Sequence, residues 1–384
     1  MVSADANRLH RRHGAETMTK SSIPPGHGGL RVLVAGAGVA ALEAVFALRA
    51  LAGDRVDIEL LAPEPRFFYR PQAVLEPFGG LRVQTFELAD LALAVGAAFT
   101  PGALASVAPR SRIARTTHGM EIEYDALLIA SGASPRPTLK DAIMFRGPAE
   151  SDRISTLARD AARGDVDHIS LAIPVRRTWP LPLYELAFGF RSVTDVPITI
   201  ATVESSPMAV LGSSGSAYVG ALLERHKIEV ETSFDFDGGL LSGVTISAPE
   251  LHGARIYGVP ADDDGFIPVN RFSSVQGLAD VYAAGDITTF EIKHGSIAAA
   301  QADVAAEAIA ARAGADVVQS PFRPVVHARI VCGDESIFVR RNVEDPLDLG
   351  VVSRDPLWTP AAKIFARYLG PGLAQFASRR GITA

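Results

Sequence analysis

The sequence predicts an α/β protein with two Rossmann-like domains, the second inserted into the first, and a small C-terminal appendage that is β-rich and partly helical. Two observations support this prediction. A strand, a glycine turn and a helix follow one another from Leu30, and this pattern returns at residue 279 after a second series of alternating strands and helices. We expect a disordered tail at 1–29, a first domain at 30–150 and 262–320, an inserted domain at 151–261, and the appendage at 321–384.

The composition is that of an ordinary soluble protein. Of 384 residues, 48% are hydrophobic and 21% are charged, with 37 Lys and Arg residues against 43 Asp and Glu residues. This mildly acidic balance, without a basic stripe, argues against a nucleic-acid partner. The first residues lack an apolar signal core, and no stretch reaches the roughly 18 apolar residues of a spanning helix. We expect a cytoplasmic protein, with Met18 as an alternative start.

Cys332 is the single cysteine of the sequence. One thiol cannot form a disulfide within the chain, assemble a cysteine-based zinc site or act as a redox dithiol. The apolar stretch Ile330-Val-Cys-Gly333 around it favours a buried structural thiol. We predict no metal site, because the acidic run Asp262-Asp-Asp-Gly265 fits a hairpin turn better than a cation site.

Residues 31–62 have the pattern of a βαβ unit. The apolar run Arg31-Val-Leu-Val-Ala35 predicts a strand, helical spacing follows, and 56–62 predicts the next strand. Between strand and helix, Gly36-Ala-Gly38-Val-Ala-Ala41 fits a turn that cradles a pyrophosphate, and a tight turn without a ligand is the alternative. Glu64 is the nearest substitute for the acidic residue that usually holds the ribose hydroxyls.

Two further glycine turns follow apolar strands, in Tyr124-Asp-Ala-Leu-Leu-Ile-Ala-Ser-Gly132 and in Val281-Tyr-Ala-Ala-Gly-Asp286. With Gly36-Ala-Gly38, they resemble the three FAD signatures of the pyridine-nucleotide-disulfide oxidoreductase superfamily over residues 31–310. Phe67-Phe-Tyr-Arg-Pro71 and Ile292-Lys-His-Gly-Ser296 make the chain most similar to the branch of type II NADH dehydrogenases, sulfide:quinone oxidoreductases and flavocytochrome c sulfide dehydrogenases.

The resemblance implies FAD as the cofactor and two catalytic candidates beside it. A cation such as Lys293 near the flavin N1 would stabilise the reduced ring. His294 would donate a proton at the flavin edge, with a solvated loop histidine as the alternative. For Asp286, a helix cap or turn carboxylate is the alternative to a flavin contact. The implied cofactor contacts are Gly36, Gly38, Val39, Ala40, Glu64, Arg70, Ala130, Ser131, Gly132, Gly285, Asp286, Lys293, His294 and Gly295.

The inserted unit departs from a nucleotide-binding pattern. After the strand at 169–173 comes Pro174-Val-Arg-Arg-Thr-Trp-Pro-Leu-Pro182, without a glycine turn through which a pyrophosphate could approach the backbone. We therefore expect no ordinary NADH binding. Arg176 and Arg177 could hold an anion. Trp179 and Tyr184 are candidate substrate contacts, and a packed loop aromatic is the alternative for Trp179.

The stretch 358–369 predicts an amphipathic helix. We expect this helix to pack on the protein itself or on a second subunit, and peripheral contact with a membrane is the alternative. Its apolar face contains Ile364, Phe365, Tyr368 and Leu369, and Lys363 and Arg367 flank that face.

Together these patterns predict an FAD-dependent oxidoreductase. Electrons would pass between the flavin and a small organic or quinone-like substrate, without a redox disulfide. The first alternative is a flavin-binding scaffold, redox sensor or partner subunit without turnover, and the second is a fold that has also lost FAD. A homo-oligomer is compatible with these patterns.

Overall fold

The computed structural model describes residues 20–21, 28–80 and 82–379. Of the predicted tail at 1–29, only residues 20–21 and 28–29 are among them, and Met18 lies outside. Residues 20–21 form a short strand that pairs in parallel with residues 121–122.

Helices and strands alternate through most of the described chain. The helices are α1 (Val39–Ala52), α2 (Leu88–Ala94), α3 (Ser151–Arg163), α4 (Leu181–Val193), α5 (Gly212–Arg225), α6 (Gly295–Arg312) and α7 (Leu369–Arg379). The strands are β1 (Lys20–Ser21), β2 (Leu30–Ala35), β3 (Val56–Ala62), β4 (Arg66–Phe68), β5 (Thr85–Glu87), β6 (Ala98–Pro101), β7 (Leu104–Ala108), β8 (Ile113–Thr116), β9 (Glu121–Glu123), β10 (Ala126–Ile129), β11 (Ala133–Arg136), β12 (Ile143–Met144), β13 (Ile169–Ile173), β14 (Ile198–Thr202), β15 (Glu229–Glu231), β16 (Val244–Ser247), β17 (Glu250–Gly253), β18 (Val281–Ala283), β19 (Val325–Cys332), β20 (Glu335–Asn342) and β21 (Val351–Ser353).

The first domain is built on a parallel sheet with strand order β18-β10-β2-β3-β6. Its central strands are apolar and buried, as parallel strands covered on both faces must be. Helices α1 and α6 pack on one face, and the small sheet of β7, β8 and β9 covers the other. The chain leaves this sheet after β10 and returns at β18, so the intervening segment is an insertion.

The inserted segment forms a second parallel sheet with strand order β12-β16-β13-β14-β15. The antiparallel strands β11 and β17 form a two-stranded ribbon at the ends of the insertion. The appendage contains the antiparallel sheet β19-β20-β21, and its residues Val326 and Ile330 share a core with Ile173 and Phe190 of the inserted domain.

Helix α5 begins earlier in the chain than its apolar residues suggest. Gly212-Ser-Ser-Gly215 makes the first turn of this helix. The carbonyl oxygen of Leu349 accepts the Ser214 N–H at 2.9 Å, which satisfies one donor at the helix start.

The predicted amphipathic helix over 358–369 is also wrong. Residues 358–368, which we call the strap, are irregular, and α7 begins at Leu369. Backbone N–H groups of the strap donate to side chains, from Ile364 to the Tyr69 hydroxyl at 3.1 Å and from Tyr368 to the Glu43 carboxylate at 2.8 Å. Pro360 supplies no N–H to a helix.

The apolar residues of the strap and of the first turn of α7 pack on the protein itself. Ile364 and Leu369 are buried in the core of the first domain, and the ring of Phe365 lies 4.5 Å from that of His327. The side chains of Ile364 and Leu369 therefore face the protein interior. In the part of the chain that the structure describes, no helix is both long enough and apolar enough to span a bilayer.

Candidate functional site

The carboxyl ends of β2, β10 and β18 lie side by side at one edge of the first sheet. Ala35 is aligned with Ile129, and Ile129 with Ala283, so the turns after these three strands meet. In parallel α/β sheets, ligands bind at this edge. The turns contain the predicted contacts Gly36, Gly38, Ala130, Ser131, Gly132, Gly285 and Asp286.

Gly36 and Gly38 have different structural tasks in the turn before α1. Gly36 has φ +143°, and a Cβ there would lie 2.1 Å from the carbonyl oxygen of Ala130, so only glycine fits. A Cβ on Gly38 would meet no heavy atom within 4 Å. The start of α1 after it carries no side-chain cap and no acidic residue in its first turn. Its N–H groups, including those of Val39 and Ala40, are suited to bind an anion.

Gly285 brings α6 close to α1 on the opposite side of this turn. It has φ +81°, and a Cβ there would lie 3.0 Å from the Ala40 Cβ and 3.3 Å from the Ala298 Cβ. Its N–H donates to the Gln301 side-chain oxygen at 2.8 Å. Glu64 is exposed just beyond the end of β3, beside β2.

A cavity of about 270 Å³ lies beside this edge and is lined by residues from all three parts of the chain. This volume is near the roughly 300 Å³ at which small-molecule sites begin. The predicted residues on its wall are Arg70, Trp179, Asp286, Lys293, His294 and Gly295. The wall also contains Glu185, Arg329 and Lys363, none of which was predicted as a site residue.

Lys293 lies in the cavity wall with only 4% of its surface exposed. Its Nζ donates to the backbone oxygens of Asp286 at 3.0 Å and Thr288 at 2.5 Å, and it lies 4.0 Å from the centroid of the Phe266 ring. Burial lowers the pKa of Lys293 to about 8, against the opposing effect of the Asp286 carboxylate. Burial raises the pKa of Asp286, while Lys293 and Arg70 lower it.

His294 is 6% exposed and precedes α6. Its Nδ1 lies 2.7 Å from the Ser296 Oγ, which also accepts the backbone N–H of His327 at 3.3 Å. The Trp179 ring packs on the imidazole with 4.1 Å between centroids. Burial lowers the pKa of His294 to about 3, so the imidazole is neutral at pH 7. This environment disfavours the protonated form that the predicted proton donor requires.

Glu185 and Lys363 form a buried ion pair in the cavity wall. The Lys363 Nζ lies 2.6 Å and 2.5 Å from the two carboxylate oxygens, and the side chains are 2% exposed for Glu185 and 9% for Lys363. Glu185 also accepts the Val331 N–H at 2.8 Å. Burial raises the pKa of Glu185 and lowers that of Lys363, and their pairing opposes both shifts.

Of this pair, only Glu185 has a sequence feature that indicates a buried ion pair. Glu185 is the single acidic residue of α4 and lies in its apolar stretch 181–190, where a lone carboxylate needs a buried partner. Lys363 gives no such signal, because it looks like a solvated flank of the predicted amphipathic helix. Its partner is 178 positions away in the sequence.

The turn between β13 and α4 offers little to a dinucleotide. Pro182 has no N–H, and the Leu183 N–H donates to the Pro180 oxygen at 3.0 Å. Arg177 is paired with Asp264 at 2.8 Å, while Arg176 is exposed and donates weakly to the Val203 oxygen.

The structure separates the two candidate substrate residues. Trp179 lines the cavity, whereas Tyr184 is completely buried in the core of the inserted domain, where its hydroxyl accepts the Met208 N–H at 3.4 Å. We therefore retain Trp179 alone as a candidate substrate contact.

Cys332 is buried, with its Sγ 3.1 Å from the His226 Nε2. Burial raises the pKa of this thiol, which therefore stays protonated at pH 7. Asp262 accepts the Phe266 N–H at 2.7 Å within a turn, as expected for the acidic run. Among the residues that the structure describes, no group of three or more His, Cys, Asp or Glu side chains could hold a metal ion.

Comparison with solved structures identifies the same architecture in redox proteins. The sulfide:quinone oxidoreductase of the hyperthermophilic bacterium Aquifex aeolicus matches with a TM-score of 0.75 over 85% of this chain and 87% of its own, at 17% identity. The chain shares its fold. A ferredoxin reductase from Rhodopseudomonas palustris matches with a TM-score of 0.64 over 81% of this chain and 82% of its own, at 19% identity.

Putidaredoxin reductase, in its covalent complex with putidaredoxin, matches with a TM-score of 0.64 over 85% of this chain and 90% of its own, at 16% identity. These matches confirm the predicted fold of two Rossmann-like domains, the second inserted into the first. No protein-family model and no curated protein matches the chain.

Proposed function

We propose that the chain binds FAD at the edge formed by β2, β10 and β18 and passes electrons between the flavin and a small organic or quinone-like substrate. The observation that carries this proposal is the meeting of three glycine turns beside a cavity whose wall contains Lys293 and Asp286. The fold, shared with a sulfide:quinone oxidoreductase and with ferredoxin reductases, supports it.

The residues of the edge fit the parts of FAD. The open approach at Gly38 and the uncapped start of α1 suit a pyrophosphate, and Glu64 beyond β3 suits the ribose hydroxyls. Asp286 and Lys293 supply charge at the cavity, and Arg70 adds a cation at its wall. When bound, FAD supplies hydride or single-electron transfer.

The inserted domain and the strap shape the substrate side of the cavity. Trp179 provides a flat apolar surface, and Lys363 and Glu185 provide a buried cation and a buried acceptor. An aromatic surface next to a few polar groups suits a small conjugated molecule. We do not expect NADH to be the donor, because the start of α4 lacks the glycine turn and the free N–H groups that a pyrophosphate needs.

A flavin-binding scaffold, redox sensor or partner subunit is the second candidate. It is supported by the single cysteine, which excludes a redox dithiol within the chain, and by the Pro-rich start of α4. In this case the flavin would be bound but reduced slowly by every small donor.

The test is the visible spectrum of the purified full chain and of Gly38→Arg. Flavin bands near about 370 and 450 nm are expected in the wild type and are lost in Gly38→Arg, because the arginine fills the phosphate approach. Gly220→Arg is the matched control, since a Cβ on Gly220 in α5 also meets no heavy atom within 4 Å. Trp179→Ala is expected to keep its flavin.

Anaerobic addition of NADH, NADPH and a quinol to the yellow protein then separates the two candidates. Bleaching by the quinol alone supports an oxidoreductase that does not bind NADH. Bleaching by NADH contradicts our interpretation that the inserted domain does not bind it. Slow reduction by all three favours the scaffold. Normal flavin content in Gly38→Arg would overturn the assignment of the site.

A further inference from the structure

Glu43 of α1 holds the junction between the strap and α7. It is completely buried. One carboxylate oxygen accepts the Tyr368 N–H at 2.8 Å, and the other accepts the Leu369 N–H at 2.5 Å. These two N–H groups lie at the start of α7, where a carboxylate is stabilised by free donors and by the helix dipole.

Asp303 of α6 lies against the same carboxylate, close enough to share a proton with it. An ionised carboxylate only accepts hydrogen bonds, so this contact requires a proton between the two groups. Both oxygens of Glu43 already accept backbone N–H groups, which favours the charge on Glu43 and the proton on Asp303. The Asp303 Oδ1 is buried and takes no hydrogen bond from the described residues, so ionising Asp303 would leave a charged oxygen unpaired.

Burial and the surrounding charges together set the pH at which this proton is lost. Asp303 faces Glu43 of α1, Glu307 of α6, and Arg367 and Tyr368 of the strap. Burial and the two glutamates raise the pKa of Asp303 to about 9, against the opposing effect of Arg367. Burial raises the pKa of Glu43 as well, while its hydrogen bonds lower it.

We propose that Glu43 and Asp303 are positioning residues, a clamp whose shared proton holds the strap against α1 and α6 and thereby keeps Lys363 and Ile364 in the cavity wall. Both strap residues lie within six positions of the two clamped N–H groups. The effect on the reaction rests on the proposed function, whereas the clamp itself does not.

The clamp weakens as pH rises. The unfolded chain releases the Asp303 proton near the ordinary value of 3.8, whereas the folded chain keeps it up to about 9. The contribution of Asp303 to stability is therefore complete below pH 3.8, falls as pH rises, and is lost above about 9. In the folded chain, ionisation near pH 9 places two buried carboxylates in contact and loosens the strap.

The test uses trypsin cleavage after Arg367, whose side chain is 61% exposed. Mass spectrometry measures the cleavage rate of the full chain at pH 7.5, 8.5 and 9.5. This rate is divided by the cleavage rate of a synthetic peptide of residues 363–372 at the same pH, because the ratio removes the pH dependence of trypsin itself. We expect this ratio to rise by about tenfold or more in the wild type, in line with a carboxyl that ionises near pH 9.

Asp303→Asn separates the clamp from other causes. Its amide donates to Glu43 at every pH, so its ratio should match the wild type at pH 7.5 and stay flat to pH 9.5. Glu43→Gln weakens the acceptor and should raise the ratio already at pH 7.5. Asp54→Asn, at an exposed carboxylate, is the control and should follow the wild type.

A flat wild-type ratio, or an Asp303→Asn ratio that rises like the wild type, would overturn the clamp. Gly38→Arg is expected to show the wild-type profile without flavin, so a failure of the clamp and a failure of the flavin proposal give different results. In flavin-containing protein, the flavin absorption maximum should shift with a midpoint near pH 9 in the wild type and not in Asp303→Asn.

Discussion

Among single residues, burial lowers the pKa of both Lys293 and His294, and neighbouring charges modify each shift. Lys293 and His294 are adjacent in sequence and both line the cavity. Asp286 supports the charge of Lys293, whose pKa falls only to about 8. Burial lowers the pKa of His294 to about 3, and the nearby His327 and Lys363 add to this fall. Lys293 is therefore mostly charged at pH 7 and His294 is neutral.

Lys293→Met should lower the midpoint potential of the bound flavin, because the reduced ring loses a nearby cation. We expect a decrease of about 30 mV or more, equivalent to about 1.4 kcal/mol for a two-electron couple. Spectroelectrochemistry from pH 6.5 to 9 measures it, and the wild type alone should show an inflection near pH 8.

Lys140→Met is the matched control at an exposed lysine, and its potential should equal that of the wild type. If Lys293→Met also leaves the potential unchanged, the cation does not act on the flavin.

At the level of elements, the β2–α1 turn combines a constrained glycine with an open one. Position 36 requires glycine because of its positive φ and the nearby Ala130 carbonyl. Gly38, in contrast, has an ordinary φ of −86° and free space around it. The first glycine therefore serves the fold and the second leaves room for a ligand. The sequence motif contains both glycines but does not show which one serves the fold and which one leaves room for a ligand.

Gly36→Ala should destabilise the flavin-free protein by at least about 2 kcal/mol, because the new Cβ meets a backbone carbonyl at a strained φ. Gly38→Ala should change stability by less than about 0.5 kcal/mol. Urea unfolding followed by circular dichroism measures both. Equal losses in the two variants would contradict this division.

In the whole molecule, the appendage links the two domains and completes the cavity. Its strand β19 contributes to the core of the inserted domain, whereas Ile364 and Leu369 contribute to that of the first domain. Between these contacts, Lys363 reaches α4 and pairs with Glu185. The wall of the cavity therefore depends on three parts of the chain staying together.

Lys363→Met should cost about 3–5 kcal/mol of unfolding free energy, because it leaves the buried Glu185 without its cation. The double variant Lys363→Met with Glu185→Gln should recover most of this loss, since no unpaired charge remains and the glutamine oxygen can still accept the Val331 N–H. Urea denaturation at pH 7 compares the three proteins. A double variant as unstable as Lys363→Met would show that packing, not charge, dominates.

Local sequence patterns are sufficient to predict the fold and the three turns at the edge formed by β2, β10 and β18. The strand at 31–35, its glycine turn and the next strand are readable because each depends on residues a few positions apart. Apolar periodicity and glycine spacing are local properties, and parallel pairing then brings the strand ends to one edge.

The rest of the site depends on contacts between residues that are far apart in the sequence. The apolar periodicity at 358–369 predicts a helix, because such a pattern contains no information about hydrogen-bond acceptors elsewhere in the chain. In the fold, backbone N–H groups of the strap donate to Glu43 and Tyr69, and the strap is irregular. Likewise, no local pattern indicates that Tyr184 is buried in the core of the inserted domain or that Lys363 lies in the cavity wall. Burial and ion pairing depend on residues far apart in sequence, 178 positions for Lys363 and Glu185, and so become visible only in the folded chain.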